Sequence, residues 1–407
     1  MQPGRIALTG FCVLIAVMGM GRFALTPQLP LMLNEGKVTL ASAGVLASLN
    51  YVGYLVGAAW AMRLSSGHAR YLRLGLWSAT LATCASALSG DFYWQAGLRF
   101  VAGVGGAWAL VTVTTWTQEQ LAARMPRLSA MVFAGPGIGI LLTGLLAMVL
   151  GRLHWGSAAD WLVYGGVALV ITVLFSGVLP RDIAARRVTA DGIDDPWVMT
   201  PPLRKLLLAY SLAGFGYILP ATFLAQMAHA RFHDSVVADL FWPVFGTAAA
   251  LGVIGVILIG RNCAARLRLA AALLTQAVGV ASVIVLPGAV GLALGALLCG
   301  GCFLAVMLLT MGMGRAFAPA HAPKIVGLLT TGYALGQLLG PLVSSAIAHV
   351  TGSLTPSLWL ASAGLVAAAV LVWVAGAPAA AEVAALRVDR RLRPGIETRK
   401  NAKGASS

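Results

Sequence analysis

Two arginines of this 407-residue chain, Arg22 and Arg99, lie inside long apolar stretches. Arg22 is about eleven residues, or roughly 16 Å of α-helix, from the outer end of its stretch, and Arg99 is about eight residues in from Asp91. An arginine at the centre of a membrane helix costs about 2.5 to 3.5 kcal/mol, so such residues usually face a cavity or the interior of a bundle. Both are therefore candidate anion-binding groups. Alternatively, Arg22 bonds helix carbonyls or a lipid phosphate, and Arg99 makes a structural hydrogen bond to a neighbouring helix.

Acidic residues are absent from the central parts of the apolar stretches. Glu119 is near the inner end of its stretch, and Asp160 and Asp239 are near outer ends. A cavity with one or two cations and no fixed anion attracts an anionic solute, because Coulomb interactions are strong in a medium of low dielectric constant. The same pattern disfavours a pump for cationic drugs.

Polar side chains with helical spacing supply further candidate binding groups. Tyr210 and Tyr217 are seven residues apart and share one face of a helix. Asn50 and Tyr54 share a face of another predicted helix, and Tyr333 and Gln337 share a face of a third. Such side chains orient a ligand by hydrogen bonding or join neighbouring helices. The candidate substrate-binding residues are Arg22, Arg99, Asn50, Tyr54, Tyr210, Tyr217 and Gln337.

The sequence predicts no catalytic, metal or cofactor site. Cys299 and Cys302 have the spacing of a metal motif, but in an apolar helix without a second ligand pair they are interpreted as small packing residues. His229 and His233 are four residues apart, which leaves a weak outer metal site open. A GxxxxGK[ST] loop is absent, so the chain does not encode ATP drive. A membrane enzyme would need carboxylates or histidines that converge at one membrane face, and the sequence offers none.

The composition identifies the elements that must position these side chains. Hydrophobic residues make up 59% of the chain and charged residues 10%, with a mean hydropathy of +0.86. Soluble domains contain roughly a quarter charged residues, so an all-α membrane protein is predicted. Twelve apolar runs are long enough to cross a bilayer. These spans 1 to 12 cover residues 6–33, 40–62, 71–89, 92–116, 128–150, 158–179, 203–228, 236–259, 268–286, 289–314, 325–349 and 355–376.

Positive charge predicts the orientation of the spans. With the N-terminus inside, 23 of the 28 lysines and arginines fall in cytoplasmic segments, and only Lys37, Arg152 and Arg231 fall outside. Positive residues in short loops stay on the cytoplasmic side, so both termini are expected in the cytoplasm. The net charge of +15 therefore gives no support to a nucleic-acid partner. A cleaved signal peptide over residues 1–21 is the alternative for span 1.

A polar linker divides the spans into two groups of six. The predicted units are an N-terminal half over residues 1–180, a cytoplasmic linker over 181–202, a C-terminal half over 203–376 and a basic cytoplasmic tail over 377–407. A shift of 195 residues aligns the GMGR that ends at Arg22 with the GFGY that ends at Tyr217, and aligns Gly105 with Gly300. One offset thus relates span 1 to span 7 and span 4 to span 10, which predicts two six-helix repeats, as found in transporters.

Three motifs carry a resemblance to a known superfamily. Gly53-Tyr54-x-x-Gly57 before the basic loop with Arg63, Arg99-x-x-x-Gly103 and Gly135-Pro136-x-x-Gly139 are similar to motifs of the major facilitator superfamily, although the usual Asp between spans 2 and 3 is absent. Within the superfamily, GMGRFALTPQLPLM and LASLNYVGYLVGA look like the YbfB/YjiJ-type transporters. The resemblance implies the major facilitator fold, with spans 1, 4, 7 and 10 around a central cavity.

The glycine-rich motifs also predict where the protein changes shape. Gly135 and Gly139 allow close helix packing and Pro136 kinks span 5, so this segment can serve as a hinge. The candidate conformational or gating residues are Gly53, Gly57, Arg63, Gly103, Gly135, Pro136 and Gly139.

The predicted function is secondary active or facilitative transport of a small organic, anionic solute by alternating access, not enzymatic catalysis. Proton-coupled efflux of neutral or drug-like compounds is the alternative, and a membrane enzyme or sensor is an alternative from a different class. The resemblance to proton-coupled carriers indicates protons as a coupling ion, whereas the missing intramembrane carboxylate leaves facilitated exchange open. We expect a multi-pass monomer in a bacterial inner membrane, with the solute and the lipid bilayer as partners and no cofactor.

Overall fold

The computed structural model describes residues 2–64, 67–181, 199–232, 236–259 and 263–376. Across these ranges the regular structure is helical throughout, which confirms the predicted all-α membrane class. Most of the predicted linker and the whole predicted tail lie outside the described residues, and so does His233 of the weak outer metal site.

The described residues form twelve helical segments, named α1 to α12, each of which corresponds to one predicted span. Eleven of them are long and apolar enough to cross a membrane. The bounds are α1 Pro3–Asn34, α2 Leu40–Ala61, α3 His68–Ala85, α4 Phe92–Leu121, α5 Pro126–Arg152, α6 Ser157–Ser176, α7 Pro201–Arg231, α8 Val236–Ile259, α9 Ala265–Val285, α10 Gly288–Phe317, α11 Ala322–Thr351 and α12 Thr355–Ala375.

The remaining segment, α3, is not among these eleven, and it differs from them because its first turns are polar. Its 18 residues include Arg70 and Arg73, which lower its hydropathy. It begins before the predicted run because Gly67, at a φ of 74°, turns the chain into the helix in a conformation that glycine adopts at little cost. The Arg73 guanidinium donates to the carbonyl oxygens of Leu179 and Pro180 at 3.2 and 2.9 Å. This charge therefore ties α3 to the chain that follows α6.

The winding of α1 changes near its middle. An α-helix over Pro3–Leu14 is followed by a π-helix over Ile15–Phe23, and α-helix resumes over Leu25–Asn34. π-Helical turns close hydrogen bonds between residues i and i+5, are rare and occur frequently at functional sites. All nine residues of the π-helix are buried, and Arg22 is the last but one of them. The altered winding thus coincides with the part of α1 that carries the buried charge.

Helix packing repeats between the two halves. α4 packs against α2 and α3 as α10 packs against α8 and α9, and α1 packs against α5 as α7 packs against α11. These pairings follow the sequence offset of 195 residues and confirm the two six-helix repeats. Contacts between the halves run mainly through α5 with α8 and α2 with α11.

Glycines bring α2 and α4 into close contact within the N-terminal half. An ideal Cβ on Gly57 would lie 2.6 Å from the carbonyl oxygen of Val104. Gly53 and Gly103 face backbone atoms at the same crossing, where a side chain would push the helices apart. Three of the predicted gating residues are therefore packed inside one half, and their role in a conformational change stays a prediction.

Glycines of α5 serve two different neighbours. Gly135 and Gly139 face backbone atoms of α1, where Gly139 meets Gly19. Gly137 faces the other half, and an ideal Cβ there would lie 2.6 Å from the backbone nitrogen of Ala250 in α8. α5 therefore packs tightly on its own half and across the interface at the same level of the bundle.

Candidate functional site

A cavity lies between the two halves beside the π-helix of α1. Helices α1, α2, α4 and α5 form one wall, and α7, α10 and α11 form the other. The space open to the centre of a water-sized sphere is about 20 Å³, which suffices for one or two water molecules. The protein is thus closed around this cavity. The described residues that line it are Met18, Arg22, Phe23, Tyr54, Leu110, Pro136, Tyr210, Tyr217, Phe303, Leu304, Met307, Met311, Thr330, Tyr333 and Gln337.

Arg22 supplies the charge of the cavity. It is 6% exposed, and the described lining residues include no acidic side chain. Its Nη2 donates a hydrogen bond to Oε1 of Gln337 at 2.5 Å, and its guanidinium carbon lies 3.9 Å from the ring centroid of Tyr54. Its Nε is buried and has no hydrogen-bond partner among the described residues. A neutral amide and an aromatic face thus hold the cation, which leaves its charge available to an anion.

Four aromatic rings of the C-terminal half stack along the cavity. The centroid distances are 4.6 Å for Phe303 to Tyr217, 5.5 Å for Tyr217 to Tyr333 and 4.4 Å for Tyr333 to Tyr210, with interplanar angles of 10°, 13° and 21°. We call these four residues the aromatic stack. Aromatic pairs contribute about 0.5 to 1.5 kcal/mol each beyond their buried area, so this wall is stiff. Nε2 of Gln337 donates to the hydroxyl of Tyr217 at 2.5 Å, which connects the stack to Arg22.

Aromatic and polar contacts close the cavity on the side where α1 ends. Phe23 of α1 packs edge-on against Phe303 with centroids 5.9 Å apart, and against Trp242 of α8 at 6.5 Å. The hydroxyl of Tyr51 in α2 lies 3.3 Å from Oγ1 of Thr222 in α7. Each of these contacts joins one half to the other, so opening on this side must break them.

On the opposite side, the end of α2 meets the beginning of α11. An ideal Cβ on Gly327 would lie 2.9 Å from the Cα of Met62. Arg63, a predicted gating residue, follows directly and is exposed. Arg63 therefore lies next to a contact between the two halves, and its gating role stays a prediction.

The structure places Arg99 elsewhere than the cavity. Arg99 is fully buried. Its Nη2 donates to the hydroxyl of Ser86, which follows directly after α3, and its Nη1 donates to the carbonyl oxygen of Gly21 in α1 at 3.3 Å. Its guanidinium carbon lies 4.3 Å from the ring centroid of Trp161 in α6. Arg99, a predicted binding residue, thus joins helices within the N-terminal half and is not among the described residues that line the cavity.

Asn50 also lies outside the described lining. Its Nδ2 donates to the carbonyl oxygen of Arg99 at 3.0 Å, so it links α2 to α4. The other predicted binding residues, Tyr54, Tyr210, Tyr217 and Gln337, line the cavity together with Arg22. Pro136 is the predicted gating residue that also reaches the lining.

Two members of the aromatic stack, Tyr333 and Phe303, are not among the residues predicted from the sequence to bind the solute. Tyr333 shares a face with Gln337, which was a usable signal, but the same spacing is typical of helix packing. Phe303 occupies the repeat position of Trp108, and an aromatic residue in an apolar helix gives no sign of facing a cavity. Met307 and Met311 were missed for the same reason.

The structure shows the surroundings of two residues that the sequence analysis considered as metal ligands, His229 and Cys299. No group of three His, Cys, Asp or Glu side chains that could hold a metal occurs among them. Nε2 of His229 lies 3.1 Å from Oδ1 of Asp239. The thiol of Cys299 donates to the carbonyl oxygen of Gln276 at 3.6 Å, as expected of a buried packing residue.

The loop after α1 binds the beginning of α6. The backbone nitrogen of Ser157 donates to Oε1 of Glu35 at 2.7 Å, and its hydroxyl donates to Oε2. Nζ of Lys37 lies 2.8 Å from Oε2 of Glu35. Partial burial raises the pKa of Glu35, but hydrogen bonds from Lys37 and Ser157 and the charge of Lys37 together hold that pKa below its ordinary value. A carboxylate at a helix N-terminus is also favourable for the helix dipole.

Twelve helices in two repeats, packed around a cavity between them, are the architecture of a membrane transporter. The family model described as "Uncharacterised MFS-type transporter YbfB" matches residues 14–373, so the chain belongs to that family of the major facilitator superfamily. The resemblance found in the sequence motifs is confirmed by this match.

A solved structure shows the same fold in a distant relative. The human organic anion transporter MFSD10 (TETRAN) is similar to this chain with a TM-score of 0.70 and 16% sequence identity, over 91% of this chain and 100% of that one. At this identity the likeness concerns the fold. In sequence, no curated protein matches the chain.

Proposed function

We propose that this transporter moves a small organic anion and that Arg22 binds the charge of the solute. The observation that carries the proposal is the environment of Arg22, a cation buried between the halves with no acidic residue among the described lining. A buried charge is strongly destabilising when it is unpaired. An anion in the cavity would pair with the Arg22 guanidinium. Binding is therefore favoured, because it removes the free-energy cost of an unpaired charge in the empty protein.

Gln337 is the group that the solute would replace. The amide oxygen of Gln337 occupies one donor of the guanidinium at 2.5 Å, and buried Nε of Arg22 has no partner among the described residues. A carboxylate accepts two parallel hydrogen bonds from a guanidinium and is a stronger acceptor than an amide. Binding would thus exchange a neutral bond across the halves for a charged bond to the solute.

The aromatic stack suits the apolar body of the same solute. It forms the wall opposite Arg22, and Met307 and Met311 lie on α10 beside it. Flat rings and thioethers provide adaptable apolar contacts. The human transporter of similar fold is itself named an organic anion transporter, so the fold accommodates such solutes.

Alternating access would separate the contacts that close each side in turn. The contacts of Phe23 with Phe303 and Trp242 would break on one side, and the contact of Met62 with Gly327 would break on the other. α5 combines Gly135, Pro136 and Gly139 at the level of the cavity, and we assign the hinge to this segment. Gly53, Gly57 and Gly103 would keep α2 and α4 moving as one body.

Efflux of neutral or drug-like compounds is the second candidate function. It is favoured by the lining, in which apolar and aromatic side chains outnumber polar ones. The two candidates differ in their need for a negative charge on the solute. A screen of charged and neutral compounds of the same shape therefore separates them.

A thermal-shift screen of purified protein tests the proposal. Ligands that bind the folded protein raise its melting temperature. At a ligand concentration of a hundred times Kd, the free energy of unfolding increases by about 2.7 kcal/mol. We expect aromatic and aliphatic carboxylates to stabilise the protein, and the matching amides and amines to have no effect. Stabilisation by the amides to the same extent would favour the second candidate and contradict an anion site.

Energy coupling and topology complete the proposal. The protein would act as a monomer in a bacterial inner membrane with both termini in the cytoplasm and the halves bounded as predicted from the sequence. Transport down a solute gradient in reconstituted vesicles should proceed without ATP. A strict need for ATP, or a C-terminal reporter active only outside the cytoplasm, would contradict these two parts separately.

A further inference from the structure

A second group of polar side chains is buried where α1, α5 and α6 meet, away from the cavity lining. Asp160 in the first turn of α6 is 3% exposed, although its sequence position placed it near an outer end. Gln28 of α1 and Tyr164 of α6 are fully buried beside it. The hydroxyl of Tyr164 donates to the carbonyl oxygen of Thr143 in α5 at 3.1 Å. We call Asp160, Gln28 and Tyr164 the outer polar cluster.

The outer polar cluster is poorly satisfied by hydrogen bonds. Oδ1 of Asp160 and both amide atoms of Gln28 are buried and form no hydrogen bond of good geometry among the described residues. The amide of Gln28 is nonetheless close enough to interact with both Asp160 and Tyr164. The hydroxyl proton of Tyr164 is already used by Thr143. A buried polar atom without a well-placed partner is destabilising, so the cluster does not reach its full hydrogen bonding in the closed conformation.

The charges around Asp160 give it no cation at contact distance within the described chain. Glu35, beyond α1, repels a negative charge at Asp160. Lys37 is engaged by Glu35 and Ser157. On the side of α4, Arg99 stacks on the ring of Trp161, the residue after Asp160, and donates its hydrogen bonds to Ser86 and Gly21.

The remaining faces of the cluster are neutral. On the side of α3, the backbone and thiol of Cys84 pack at Gly165, the residue after Tyr164. α5 contributes the carbonyl and hydroxyl of Thr143. Asp160 lies in the first turn of α6, whose dipole favours a carboxylate, but this effect is smaller than the cost of burying an ionised carboxylate without a bonded cation. A protonated carboxyl can instead donate its O–H to the amide oxygen of Gln28.

We propose that Asp160 is the site of the coupling proton, protonated in the closed conformation and deprotonated when the protein opens at the end of α1. The step is a plain ionisation in which the O–H bond of the carboxyl breaks, its electron pair stays on the carboxylate, and the proton passes to water. Water reaches the cluster when the last part of α1, which packs against α6 and also against α7 of the other half, moves as the halves separate on that side. This inference rests on the proposed function, because the proton is coupled to an anion at Arg22.

α1 connects the two sites mechanically. Gln28 follows Arg22 by six residues on α1, just beyond the π-helix, so a movement of α1 relative to α6 alters both surroundings. Arg22 and Asp160 also belong to the same half. A proton at Asp160 and an anion at Arg22 add no net charge to that half, so moving them together avoids carrying an uncompensated charge through the membrane. The site therefore predicts symport of the anion with a proton.

Infrared spectroscopy of the full chain in nanodiscs of neutral lipid tests the protonation directly, with the proton itself as the probe. A buried protonated carboxyl gives a carbonyl stretching band that shifts on exchange into deuterated water. We expect this band at neutral pH in the native protein and its loss in Asp160→Asn. Asp91→Asn is the matched control, because Asp91 is an exposed cap that accepts from the backbone of Trp94 at 2.9 Å. A band that persists in Asp160→Asn, or that is absent from the native protein, overturns the proposal.

A sodium ion is the competing occupant, and melting curves in sodium chloride and choline chloride distinguish it. Stabilisation by sodium alone, lost in Asp160→Asn, would overturn the proton site. The solute site is tested separately with Arg22→Gln, which should keep the infrared band while losing stabilisation by carboxylates. If the band is lost in Asp160→Asn but no carboxylate stabilises the native protein, the proposed function fails while the protonation of Asp160 holds.

Discussion

Arg22 and Gln337, 315 residues apart in the chain, form a hydrogen bond of 2.5 Å between Nη2 and Oε1 that crosses from one half of the protein to the other. The donor is charged and the acceptor is neutral, and both residues line the closed cavity. It therefore combines the proposed binding group and an inter-half contact in one pair. The first two predictions follow from this pair.

Replacing Arg22 by Gln should weaken binding of the best-stabilising carboxylate by roughly ten- to a hundredfold, since one charged hydrogen bond is worth about 1.5 to 3 kcal/mol. Arg22→Lys should restore binding only in part, because lysine keeps the charge but loses the planar fork. Binding isotherms and melting curves on the same preparations check both. Unchanged affinity in well-folded Arg22→Gln would end the anion-site hypothesis.

Replacing Gln337 by Glu should give Arg22 a permanent anion. The carboxylate would take the place of the solute, so we expect a higher melting temperature and loss of stabilisation by added carboxylates. Gln337→Leu is the matched control, because it removes the amide without adding charge and should retain carboxylate binding. Normal carboxylate binding by Gln337→Glu would show that the solute does not occupy the position facing Gln337.

Replacing Arg99 by Gln should reduce the yield of folded protein and leave solute affinity nearly unchanged. Arg99 bonds Ser86 and the carbonyl of Gly21 within one half, and each lost charged bond costs about 1.5 to 3 kcal/mol. Size-exclusion yield and affinity of the surviving protein measure the two effects. A selective loss of affinity would return Arg99 to the binding site.

Replacing Gly137 by Ala should destabilise the closed conformation, because the added Cβ would lie 2.6 Å from a backbone nitrogen of α8. Overpacking of this kind costs about 1 to 3 kcal/mol. Gly166→Ala is the control, since nothing lies within 4 Å of a Cβ at that glycine of α6. Melting temperature and transport rate should fall only in Gly137→Ala, and equal behaviour of the two variants would exclude α5–α8 contact as a determinant of closure.

Acid should weaken the link between Glu35 and the beginning of α6. The pKa of Glu35 is lower in the folded protein than in the unfolded chain, so its contribution is complete above the unfolded pKa and is lost as the pH falls through the folded pKa. Melting temperatures of native protein and Glu35→Gln should therefore differ at neutral pH and converge in acid. Parallel curves throughout would show that the carboxylate contributes nothing to stability.

The sequence was sufficient for the helices, because they depend on hydrophobicity along the chain, and it indicated that Arg22 is buried. It was not sufficient for Arg99. Helical periodicity gives the face of a helix on which a residue lies, but the rotation of that helix in the bundle is set by packing. In α4 the close approach of Gly57 to Val104 contributes to that packing, and the long side chain of Arg99 finds Ser86 and Gly21, which lie on other helices.

Asp160 shows a second limit of the sequence. Counting residues placed it near the outer end of a span, and this position is correct along the helix axis. Burial depends instead on what packs over the end, which here is the last part of α1 with Gln28. The π-helix before Gln28 shifts the register of α1, and hydrophobic periodicity does not reveal such a shift when the whole segment is apolar.

The aromatic stack and Arg22 lie on opposite walls, even though Tyr217 stands at the repeat position of Arg22. Two halves with the same fold thus line one cavity with different kinds of side chains, a cation on one side and aromatic rings on the other. A solute with a charged head and an apolar body has one favourable orientation in such a cavity and would cross the membrane without reorienting in it. The charged end of such a solute would then face the N-terminal half in both directions of transport, so solutes that differ only in the position of the charged group should bind differently.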